Sequence, residues 1–178
     1  MTTTTTLPMS EAAHRIRTDH DLLLRRLAGL SPEELAAGYQ VASGPLGDFC
    51  ESLHDLLAHV LMWDEISLAV LTEARAGREH WSIDPRWETP EVGRMLNRAG
   101  VIAGRELPAS LLMHRLLSAR DALLTEIQAY PESQWQAAES DRGPSGVGAF
   151  AQYAMTVPGK PAYVHAALHL DELGWLAA

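Results

Sequence analysis

Apolar residues in this chain recur every three or four positions over long stretches, and no segment shows a convincing alternating pattern. That periodicity commits the chain to helices. From Ser10 to Ala28 the repeat is Ala13, Ile16, Leu23, Leu24 and Leu27, with Ser10 placed to cap the start and Gly29 to end it. Ser31-Pro32-Glu33-Glu34 reads as a capping box with proline at the first helical position, opening a short helix. Gly38–Gly47 holds three glycines and a proline and reads as a loop. A long helix is expected from Asp48 to Ala76 on the stripe Leu53, Leu56, Leu57, Val60, Leu61, Leu68 and Leu71, stopped by Gly77. Glu79–Pro90 is irregular, and Thr89–Gly100 gives a short helix with Pro90 first. A third long helix runs from Pro108 or Ala109 to Ala129 and ends at Pro131. Asp141–Gly148 is a flexible loop by composition, and a last helix starts near Pro161 and carries Val164, Leu168, Leu173 and Leu176. The expectation is an all-α four-helix bundle with short extra helices in its connections. Residues 1–9 form a disordered lead-in and residues 10–178 a single domain.

Composition narrows the function. A net charge of −9, with basic residues clustered nowhere beyond Arg25-Arg26, would repel a phosphate backbone and argues against nucleic acid. The longest nearly uncharged stretch, Gly143–Gly159, is broken by glycine and proline, which argues against a membrane span. The start lacks the basic and apolar regions of a secretory signal. Together with the lone Cys50 this points to a cytoplasmic protein. Cys50 has no basic neighbour in sequence and is expected to be a buried, inert thiol.

The histidines carry the chemistry. His165 and His169 stand four residues apart on the expected last helix, so both imidazoles leave one face, as a helix offers two nitrogens to one ion. The same spacing also suits a surface pair or a hydrogen-bonded core pair. His59 sits on the apolar stripe of the second long helix, where a polar ring needs a partner. Three neutral histidines suit zinc, nickel or ferrous iron. Trp63, one turn beyond His59, is either a pocket wall or core, and Asp64 and Glu65 are either acceptors for a liganding histidine or solvated charges. Among the others, His14 and His20 lie on the first helix, His54 on a different face from His59, His80 in a loop and His114 at the start of the third long helix. His20 is the one expected to border a central pocket.

At these residues the chain resembles the DinB-like superfamily. Leu53-His54-Asp55-Leu56-Leu57-Ala58-His59-Val60-Leu61-Met62-Trp63-Asp64 is similar to its second-helix motif, in which an aromatic follows a liganding histidine by four residues. Tyr163-Val164-His165-Ala166-Ala167-Leu168-His169 is similar to its final-helix motif. Leu96-Asn97 and Ser31-Pro32-Glu33-Glu34-Leu35 fall where related segments lie, so the resemblance covers nearly the whole chain. It departs where Asp48-Phe49-Cys50 replaces the usual tryptophan-serine entry to the second helix. The nine residues after His169 also leave no place for the extra C-terminal domain of the isomerase type.

The resemblance implies a bundle holding a divalent metal on His59, His165 and His169, zinc first and nickel or iron next, with Trp63, Asn97 and His20 around the substrate. It further implies a metal-dependent enzyme that acts on a small electrophilic metabolite. Its nucleophile would be water or a low-molecular-weight thiol such as mycothiol, as in mycothiol-dependent maleylpyruvate isomerase and the bacillithiol transferases. A second implied reading is self-resistance, by destroying or sequestering a reactive natural product, as in the colibactin self-resistance factor ClbS. A third is a non-catalytic, small-molecule-binding stress protein. The expected partner is a small molecule, and an exposed apolar helix face would bury well in a homodimer.

Overall fold

Caps and breakers set the element boundaries in the computed structural model, which describes residues 5–84, 86, 89–136 and 146–176. Helix α1, Met9–Leu27, starts behind Pro8 with no side-chain cap, so Ser10 lies inside the helix and does not begin it. Thr5–Pro8, expected to be part of a disordered lead-in, are tied down instead. The Leu7 N–H donates to Gln152 Oε1, and the Leu7 carbonyl accepts from the Trp135 indole. Helix α2, Pro32–Ala36, opens with the expected capping box: Ser31 Oγ accepts from the Glu34 N–H, and Glu34 Oε2 accepts from the Ser31 N–H.

The second long helix, α3, spans Leu53–Arg75 and is capped by Ser52. It begins five residues later than expected, because Leu46–Asp48 folds into a 3-10 turn whose Leu46 carbonyl accepts from the Cys50 N–H. Helix α4, Pro90–Arg105, is capped by Thr89 and runs past the expected stop at Gly100. Helix α5, Ala109–Gln128, matches expectation. Helix α6, Glu132–Trp135, and helix α7, Val147–Ala154, were not anticipated. Of the expected loop at Asp141–Gly148, residues 141–145 lie outside the described residues, while Val147 and Gly148 belong to α7. Helix α8, Ala166–Glu172, is only seven residues long, and His165 precedes it. The fourth long helix is therefore α4 and not the C-terminal one.

All regular elements among the described residues are helical, apart from one isolated bridge between Gly38 and Ser52. No helix among them is long and apolar enough to cross a membrane. Helix α3 packs against α4, α5 and α7, and α1 packs against α5 and α8. The outer face of α4 leaves Val92, Met95 and Ile102 exposed.

The core falls into two apolar clusters. One holds Leu23 and Leu27 of α1, Leu53, Leu56, Leu57, Val60 and Leu61 of α3, Leu112 and Leu116 of α5, and Leu170 of α8. The other holds Ala12, Ala13 and Ile16 of α1, Leu71 of α3, Leu123 and Ile127 of α5, and Trp135. Between them three of the long helices contribute buried polar residues: Asp19 and His20 on α1, Asp64 and Ser67 on α3, and Arg120 on α5. This polar layer positions the site.

Gly100 and Gly104 explain why α4 runs longer than expected. A Cβ on Gly104 would stand 2.3 Å from Ala58 Cβ, and one on Gly100 would stand 2.2 Å from Met62 Sδ. The glycines let α4 approach α3 closely; they do not end it. Gly104→Ala gains helix propensity of about 1 kcal/mol, yet overpacking of about 1–3 kcal/mol opposes it. The expected net effect is destabilisation, read as a fall of a few degrees in the thermal midpoint.

Candidate metal centre

Helix α3 delivers His59 from a face that also carries Leu56 and Val60, all three buried. His165 and His169 come from the far end of the chain. His169 lies on α8, but His165 is its N-cap residue with φ −133 and ψ −62, so the pair does not share a helical face as expected. The preceding turn contains Tyr163 at φ 60, a left-handed conformation that a bulky residue adopts only when its surroundings enforce it. Buried Tyr163 is held by the second apolar cluster.

The three rings meet regardless. His59 Nε2 lies 3.0 Å from His165 Nε2 and 3.1 Å from His169 Nε2. Each pair of ring centroids is 4.9 Å apart. Imidazole nitrogens bound about 2.1 Å from one ion would stand about 3.0 Å apart at roughly right-angled bonds and about 3.4 Å apart at tetrahedral ones. The spacing fits a shared ion.

Protonation fits as well. Burial pushes the His59 ring well below its ordinary value, with the neighbouring His169 adding to the effect. Burial does the same to His165, followed by His169, His59 and Arg120. Both rings are thus held neutral, the form that binds metal. His169 Nδ1 lies 2.8 Å from Glu172 Oε2, a contact that orients the ring, and its Nε2 lies 3.1 Å from His59 Nε2. Phe49 covers the His59 ring at 4.8 Å between centroids.

A cavity of about 430 Å³ opens on the three imidazoles. Trp63 and Asn97 line it, and the Trp63 indole donates to Asn97 Oδ1 at 2.9 Å. His20, expected beside the substrate, is not among the lining residues: its ring is buried on α1 with Nε2 lacking a partner. Asp64 and Glu65 do not serve the histidines either. Asp64 makes a two-point ion pair with buried Arg120, and Glu65 pairs with Arg115. The carboxylate that orients a histidine is Glu172, which the sequence reading passed over although it lies one turn beyond His169. Asp19 was also missed. It accepts the backbone N–H groups of His165, Ala166 and Ala167 from across the fold. Cys50 is buried, and its thiol is pushed up to about 12, first by burial and then by the Asp55 carboxylate.

No protein-family model and no curated protein matches the sequence. A solved structure is similar in fold: a crystal structure of an uncharacterised protein from Escherichia coli UTI89, with a TM-score of 0.70 and 13% identity. The match covers 97% of this chain and 92% of that one.

His20 yields a pH prediction. Its pKa is lowered to about 4, first by burial and then by the Arg120 guanidinium. The unfolded chain takes up this proton near pH 6.5, the ordinary value. Between these values the unfolded state binds more protons, so stability falls as pH drops through that window. Urea midpoints measured from pH 7 down to 4 should decline less steeply in His20→Gln than in the parent. Equal slopes would show that the ring titrates normally.

Proposed function

We propose that His59, His165 and His169 hold one divalent ion, zinc before nickel or iron, within a four-helix bundle of the DinB-like type. On this reading the protein is an enzyme. It joins a small electrophile to water or to a low-molecular-weight thiol such as mycothiol, in a reducing compartment such as the cytoplasm. The supporting observation is the convergence of three Nε2 atoms, from buried His59 and His169 and half-buried His165, two of them separated from the third by 3.0 and 3.1 Å, on the wall of a cavity.

A divalent ion on three neutral ligands keeps its full charge, and so can lower the pKa of a nucleophile and polarise a substrate oxygen. The chain's own residues do the rest. Phe49, Ile16, Leu123 and Val157 give the cavity apolar walls that exclude water around the reacting group. An indole can only donate, so the Trp63 bond fixes which end of the Asn97 amide is oxygen. Asn97 lines the cavity, and its amide N–H groups are the donors it would offer an acceptor on the substrate. Arg94 stands one turn earlier on α4 and lines the same wall. A ligand bearing a carbonyl or carboxylate is oriented by these donors.

The test combines elemental analysis with turnover. The parent should bind one equivalent of metal and conjugate a model electrophile such as chlorodinitrobenzene to mycothiol, or hydrolyse an activated ester. Single alanine substitutions of His59, His165 or His169 should each lose the ion and at least about a hundredfold in rate, the order expected when a metal's charge stabilisation of several kcal/mol is removed. A metal-free protein with undiminished turnover would refute the reading.

A further inference from the structure

Two of the three ligand candidates stand on a piece of chain that cannot hold its own shape. Helix α8 spans seven residues, Ala166–Glu172, far below the length at which an isolated helix persists in water. Its first N–H groups have no intrahelical acceptor, and the N-cap residue His165 offers no side-chain cap. The turn before it contains Tyr163 in a left-handed conformation. Something outside the segment must fix where it begins.

Asp19 does so. Its carboxylate lies on α1, buried to 4% exposure. Oδ1 accepts from the N–H of His165 at 3.2 Å and of Ala167 at 2.8 Å, and Oδ2 accepts from the N–H of Ala166 at 3.0 Å. One side chain thus satisfies three successive backbone donors, and a bond to a charged acceptor is about twice as strong as a neutral one. The far end of α8 is held separately. The N–H groups of Ala42 and Ser43 donate to the Glu172 carbonyl at 2.8 and 3.1 Å, next to the Glu172 carboxylate on His169. Helix α8 is clamped at both ends by distant parts of the chain.

We infer that Asp19 is a positioning residue for the three-histidine cluster: by capping α8 from α1, it sets His165 and His169 against His59 on α3. This rests on the metal reading above. Asp19 is hydrogen-bonded to no imidazole; it acts on backbone alone. Replacing it frees the two C-terminal rings together and leaves His59, anchored in α3, where it is. Linkage makes the effect reciprocal: if the cap favours metal binding, metal binding must tighten the cap.

Cobalt titration provides the test, read by visible absorption and by competition with a chelator. In Asp19→Asn one backbone acceptor becomes an N–H donor aimed at other donors. Cobalt affinity should fall about 10- to 100-fold, the range seen when groups outside the ligand set are removed, and the absorption band should shift. A control variant of comparable thermal stability, Leu27→Ala, should bind cobalt as the parent does. Native affinity and an unchanged band in folded Asp19→Asn would overturn the inference while leaving the metal site standing. A parent protein that takes up no cobalt would overturn both. If Asp19→Asn does not fold, hydrogen exchange on the parent decides. The amides of Ala166 and Ala167 should exchange at least tenfold more slowly with zinc than without, and equal rates would refute the coupling.

Discussion

The register of the three central helices depends on a buried ion pair. Arg120 on α5 gives Nε and Nη2 to the two oxygens of Asp64 on α3, both at 2.9 Å, and gives Nη1 to the Ile16 carbonyl on α1 at 3.1 Å. One guanidinium therefore joins three helices at one level. Burial raises the Asp64 carboxyl to about 6 even though Arg120 opposes it, which shows how much desolvation the pair has to offset. Such a pair adds little over an apolar replacement, but leaving half of it unmade costs about 3–5 kcal/mol. Sliding any of these helices by a turn would break it. The pair selects one arrangement from those that the leucine stripes alone would permit.

That level is also where the site lies. Above and below, apolar clusters fill the space between helices, and a cavity with polar lining would be costly there. In the polar layer the charged groups of Asp19, Asp64 and Arg120 already have their partners, so an opening can exist beside them. Asp19 shares this layer and extends it outward to α8. His59, one turn and a residue before Asp64 on α3, faces the cavity from the edge of the first cluster. The charge that fixes the fold and the neutral rings that form the candidate site are neighbours: the Arg120 guanidinium contributes to holding His165 uncharged. A protonated ring would be repelled there. A lone pair is not.

What the sequence disclosed follows from how local each feature is. The Ser31 capping box and the stop at Gly77 involve a few adjacent residues, and both were legible. His59 stood out because a polar ring on an apolar stripe requires an explanation. The His165–His169 spacing pointed to a true convergence for a wrong reason, since His165 is not helical and the strained turn at Tyr163 brings its ring round. Gly100 read as the end of a helix because a glycine's meaning in a helix depends on what packs over it, here Met62. Asp19 was illegible in principle. A carboxylate inside a helical run is ordinarily solvated, and nothing near position 19 reveals that its partners lie 146 to 148 residues away. Helix α7 was hidden by the glycine and proline content around it.

The same distances bear on what a metal could do for folding. In small zinc modules the ligands lie close in sequence, so the ion organises a chain that is otherwise unfolded. Here the ligand candidates lie 106 and 110 residues apart, and closing such a loop early carries a large entropic cost. The helices have independent reasons to assemble: two apolar clusters and an ion pair that fixes their register. The rings are then brought together by α1 and α3 through contacts that involve no ion. Three ring nitrogens thus stand close together in a fold assembled by other contacts, and what an ion would still tighten is the short α8. The proposed ion would therefore be set into a bundle whose clusters and ion pair lie outside its ligand set.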